Sequence, residues 1–147
     1  MYSKTAIKQY QRIDTQSAVT DASPHQLITM LINGALARLA AATGGIERED
    51  YAEKGTNIGK SVDIINGLQS SLDMDAGGEI AANLYRLYDY MIRRLMDASI
   101  HNDASIVNEV SGLLKEIKSG WDNIPVEFHN GAQAPTATQR QATINAG

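Results

Sequence analysis

The chain has 147 residues, a formal net charge of −4 and no cysteine. That length fits one domain. The missing thiols exclude a disulfide framework, a cysteine nucleophile and a thiolate metal site, and the acidic balance argues against nucleic-acid binding, which needs a basic face.

Residues 1–13 carry Lys4, Lys8 and Arg12 and no acid. Ile7, Tyr10 and Ile13 recur three apart, which predicts a short helical arm with a narrow apolar stripe. Such a helix is marginal alone in water and has to lie on something. Residues 14–22 read as a polar connection. Ser23-Pro24 then opens a first long helix, with Ser as N-cap and Pro at the first helical position. It is expected to run to about Ala42 and to stop at Gly44-Gly45. A second helix is expected from Glu49 or Asp50 to about Leu72, with Ile58, Val62, Ile65, Leu68 and Leu72 at helical spacing. Asp73 to Gly78 reads as a turn. A third helix follows from about Glu79 to Ile100. Asn102-Asp103 caps a fourth, whose stripe is Ile106, Val110, Leu113, Ile117 and Trp121, and Pro125 closes it.

No segment alternates with period two, and every connection is short. The expected fold is all-α: an antiparallel up-down four-helix bundle over 14–124, with an N-terminal arm over 1–13. Residues 125–147, rich in Ala, Gln, Thr, Gly and Asn, are expected to be disordered. The opening residues lack the continuous apolar stretch of a secretory signal, and no uninterrupted apolar run approaches membrane-spanning length. A cytoplasmic protein with no stable membrane insertion is expected.

Catalytic chemistry finds little support. His25, His101 and His129 are scattered, with no partner at metal-ligand spacing. The run Asp73-Met74-Asp75-Ala76-Gly77-Gly78 begins like a calcium loop, but Leu84 stands where a bidentate Glu is needed. No nucleophile elbow and no nucleotide fingerprint occur. No catalytic residue, metal ligand or cofactor site is assigned.

The unusual property is surplus apolar surface. A helix packing on one side needs a stripe about 100° wide. The third helix has its core rhythm (Ile80, Leu84, Leu87, Tyr88, Met91, Leu95) and a second set on its flank: Tyr85, Ile92 and Met96, with Asp89 interrupting the row. Ile64 on the second helix and Val107 and Leu114 on the fourth also leave the central stripe. These six residues are the expected lining of a groove for a partner helix. The second helix also holds Gly55 and Gly59, four apart on one face, where another backbone could approach.

Particular blocks resemble a known family. Ala22-Ser23-Pro24-His25-Gln26-Leu27-Ile28, then Met30-Leu31 and Gly34-Ala35, is similar to the opening of the flagellin-specific export chaperones (FliS). So are Gly77-Gly78-Glu79-Ile80-Ala81, Asn83-Leu84, Leu87-Tyr88-Asp89-Tyr90-Met91 and Arg93-Arg94-Leu95. Asn102-Asp103, Glu109-Val110 and Trp121 continue the likeness, which covers about residues 1–124. Ile32-Asn33 departs from it, since the family often has an aromatic and an Asp there. The resemblance implies a cytoplasmic helical bundle without catalytic activity or cofactor. Such a chaperone binds the C-terminal region of flagellin, prevents premature polymerisation and delivers it to the flagellar export apparatus. It also implies that the arm covers part of the client surface and contributes to docking at the export-gate protein FlhA, which on this chain falls to Ile7 and Tyr10. The alternative is an adaptor or regulatory bundle that takes a different helix, or a second copy as a homodimer of the empty form, on the same surface.

Overall fold

Each helix of the bundle starts at a side chain that satisfies backbone N–H groups left open by the first turn. The computed structural model describes residues 22–125. The arm with Ile7 and Tyr10, the connection up to residue 21 and the segment from 126 onward lie outside them. The elements are α1 (Pro24–Glu47), α2 (Tyr51–Ser70), α3 (Met74–His101) and α4 (Ala104–Asp122). α1 packs on α2 and α4, and α3 packs on the same two helices. The four helices therefore close a ring, and each has two neighbours.

α1 opens with a reciprocal capping box. The Ser23 hydroxyl accepts from Gln26 N at 3.1 Å, and Ser23 N donates to Gln26 Oε1 at 2.8 Å. The helix does not stop at Gly44-Gly45 as expected; it continues to Glu47. The reversal is made by Glu49 at φ +56° and by Asp50 N donating to Gly45 O at 2.8 Å. Gly45 serves packing instead. A Cβ there would lie 2.9 Å from Lys54 N and 3.0 Å from Asp50 O. The end of α1 thus rests directly on the backbone that starts α2.

Asp50, Asp73 and Asp103 cap the other three helices, accepting from Glu53 N, Ala76 N and Ser105 N. The Asp73 carboxylate therefore holds a helix start. α3 begins five residues earlier than expected, because a first turn precedes a kink at Gly78 (φ +55°, ψ −133°). That conformation is essentially closed to a residue with a Cβ.

The core comes from all four helices: Leu27, Ile28, Ile32 and Leu39 of α1, Ile58, Ile65 and Leu68 of α2, Tyr88, Met91 and Leu95 of α3, and Val107, Val110 and Leu114 of α4. Each such side chain contributes roughly 1.5–3 kcal/mol by leaving water. By length and composition α1 could cross a membrane. A search for unbroken apolar runs overlooks this, because Asn33, Gly34 and Arg38 interrupt the sequence. The apolar side of α1 is the side that fills the bundle.

Candidate functional site

Two polar rungs fix how α2 lies against α3. At one end Lys54 Nζ donates to Ser99 O at 2.9 Å and to Asn102 Oδ1 at 2.6 Å. At the other, Gln69 Nε2 donates to Tyr85 O at 3.0 Å. Between these rungs an antiparallel pair rising 1.5 Å per residue brings Ile58 level with Met96 and Val62 level with Ile92. Ile58 is buried, while Val62 and Ile92 are half-buried against the core. A large part of the row above them stays in water: Tyr85 is 46%, Met96 54% and Ile100 70% exposed. Positions 92 and 96 follow Tyr85 by seven and eleven residues, so each falls within about 20° of it around the helix and the three span about 40°. Ile100 continues the row by one turn. Tyr51 (48% exposed) joins it from α2, its ring centroid 5.2 Å from Lys54 Nζ. Lys54 is itself buried and sits where a cation suits the carbonyl end of α3.

The result is an apolar flank along the α2–α3 seam, and it holds three of the six expected groove residues: Tyr85, Ile92 and Met96. The other three lie elsewhere. Val107 and Leu114 are fully buried, which corrects their placement on a surface. Both sit on the side of α4 that turns to α1, and α4 is covered on both flanks because α1 and α3 each pack against it. Ile64 is half-buried on the opposite side of α2, with its Cδ1 3.7 Å from the point a Cβ on Gly34 would occupy. It packs towards α1 and faces away from the seam. Ile100 and Tyr51 were missed, although Ile100 at four residues past Met96 carried a readable signal. Gly55 and Gly59 are exposed, and a Cβ at either would meet nothing within 4 Å among the described residues.

The opposite side of α3 is closed by a polar cluster. Tyr90 OH donates to Glu109 Oε2 at 2.6 Å and Arg94 Nε donates to Glu109 Oε1 at 2.9 Å. The Tyr90 hydroxyl, then Arg94, hold the Glu109 carboxyl below the usual carboxylate range. The same hydrogen bond to Glu109 pushes the Tyr90 phenol up. Among the described residues no group of three or more His, Asp or Glu could hold a metal ion. His25 is stacked on Trp121 at 4.7 Å, and His101 ends α3.

A family model described as flagellar protein FliS matches residues 6–127. The chain belongs to the FliS family. Among its relatives, the flagellar secretion chaperone FliSB of Pseudomonas aeruginosa is 54% identical over 124 residues, covering 84% of this chain and 98% of its own. The flagellar secretion chaperone FliS of Salmonella typhimurium is 49% identical over 125 residues, 84% of this chain and 93% of its own. That of Bacillus subtilis is 36% identical over 106 residues, 72% of this chain and 78% of its own. The FliS match includes Ser23-Pro24, the Gly77-Gly78 kink and the whole α2–α3 seam, and it takes in Ile7 and Tyr10 of the arm.

Proposed function

We propose that the chain is a cytosolic export chaperone whose client is the C-terminal region of flagellin. In this reading it seats that segment on the α2–α3 flank, prevents premature polymerisation and delivers it to the flagellar export apparatus. One observation carries the reading: a bundle whose relatives are named flagellar secretion chaperones leaves Tyr51, Tyr85, Met96 and Ile100 exposed along one seam. Large apolar side chains gathered on one face are the usual mark of an interaction surface. A thioether and two phenol rings adapt to varied apolar surfaces. An unfolded client with amphipathic segments gains by laying its apolar side there, and the contact has to be long to offset the cost of ordering it.

Docking at the export gate, with FlhA as partner, is proposed for the arm residues Ile7 and Tyr10. An empty copy offers the same flank to a second copy, so a homodimer competes with the client for it.

Titration with the flagellin C-terminal segment, followed by circular dichroism and calorimetry, tests the reading. Saturable binding is expected, with more helix in the mixture than in the separate parts. Met96→Asp and Ile100→Asp should each weaken binding at least about tenfold, since each buries an unpaired charge in the contact. Both variants should keep the helicity of the parent. Binding indifferent to both substitutions would remove the client from this flank.

A further inference from the structure

One residue in the exposed row is not apolar. Asp89 stands four residues after Tyr85, three before Ile92 and seven before Met96, so it lies on the same face of α3 as all three. Its side chain is 52% exposed and pairs with Arg93, one turn on and 64% exposed. An exposed pair at this spacing contributes little to the fold. The pair also keeps the carboxylate in water in the middle of a surface that otherwise favours greasy contact. Of the α2 lysines, Lys54 is committed to Ser99 and Asn102, and Lys60, two residues before Val62, stands about 160° from it around the helix.

A helix laid along this seam must cover Asp89 if it touches both Tyr85 and Met96. Covering this carboxylate strips water from it and from its exposed Arg93 pair, which is costly, whereas a cation on the covering helix adds a charge-assisted hydrogen bond in a partly dry site. Resting on the client-binding reading above, we propose that Asp89 is the specificity-determining residue of the flank. It selects a client helix that carries Lys or Arg between two large apolar anchors, and it rejects helices that are apolar throughout. The anchors opposite Tyr85 and Met96 are eleven residues apart, which returns to the same helix face. The base lies one turn from the anchor at Tyr85 and two turns from the anchor at Met96. That asymmetry gives the bound helix a direction as well as a register. The Arg93 pair is the resting state, which the client's base replaces.

Such a placement works mainly by exclusion, as specificity often does. The probe is the flagellin C-terminal segment, together with versions in which each Lys or Arg is changed singly to Leu or Glu. Asp89→Asn should cost about tenfold in affinity at low salt and flatten the salt dependence. Asp89→Lys should cost about a hundredfold, and one Lys-or-Arg→Glu version of the segment, at a single position, should recover most of it. Asp89→Leu should instead gain affinity for the version with Leu at that position. Stability should be unchanged in all three variants.

If the parent binds the segment and Met96→Asp abolishes binding, yet Asp89→Asn and Asp89→Lys stay within about twofold of the parent, Asp89 is no selector and the client site stands. If the parent binds no version of the segment, the client reading fails and this inference falls with it.

Discussion

Single positions in this bundle separate cleanly by what a change would disturb. Gly78 has φ +55° and ψ −133° with nothing within 4 Å of a Cβ. Gly78→Ala should therefore lose about 1–3 kcal/mol from backbone strain alone, measured by urea denaturation. Gly59 is helical, exposed and equally open, so Gly59→Ala should gain about 0.5–1 kcal/mol in the same assay. Glu109 gives a signed dependence on pH. Its folded value is depressed, first by the Tyr90 hydroxyl and then by Arg94. Its contribution is therefore present above the unfolded carboxylate value of about 4.3 and is lost as pH falls through the folded one. Tyr90 runs the other way, contributing below about 10 and losing that contribution as pH rises through its elevated folded value. In denaturation series across the acid range, Glu109→Gln should differ from the parent near neutrality and converge with it in acid. At this scale the caps Ser23 and Asp103 were legible, because Ser, Asp and Pro act on their own neighbours; Asp73 was expected in a turn, since the helix it caps kinks at Gly78. Gly45 was not legible: its reason is the backbone of Lys54, which a local pattern does not contain.

Among the elements, α4 and α1 meet in a clasp. Trp121 stacks on His25 with ring planes 4° apart. Trp121 Nε1 donates to His25 O at 3.1 Å, and His25 Nε2 lies 2.8 Å from Trp121 O, its proton pointing at that carbonyl. Trp121→Ala should cost about 3 kcal/mol, the low end for truncating a packed aromatic, because the ring is only part-buried. Trp121→Phe should keep the stack and lose the smaller share due to the hydrogen bond, about 1 kcal/mol. Both are read from denaturant midpoints. At the join of α1 and α2, Gly45→Ala should cost about 1–3 kcal/mol through overpacking, since the atoms it would meet are main chain. Stripes and helix limits were readable wherever apolar spacing and a capping residue agreed, as at Ser23-Pro24 and Asn102-Asp103. Which flank of a helix is covered was not readable. Val107 and Tyr85 both stand off the centre of their stripes beside a neighbouring helix, yet Val107 is fully buried towards α1 and Tyr85 is left 46% exposed along α2.

For the molecule as a whole, the ring of four helices decides what a charge does. Val107→Asp and Leu114→Asp place a carboxylate among fully buried side chains, a penalty of several kcal/mol against a total of about 5–15 kcal/mol for a domain. Loss of the cooperative thermal transition is expected for both. Met96→Asp should leave that transition where it was, so a calorimetric scan of the three variants sorts interior from seam without any client present. The clasp also has a topological outcome. Because the first turn of α1 is bonded to the last turn of α4, the two ends of the bundle sit side by side. A short linker from residue 125 back to residue 22, with new termini opened between α2 and α3, should yield a circularly permuted molecule with the same helix content and an intact seam.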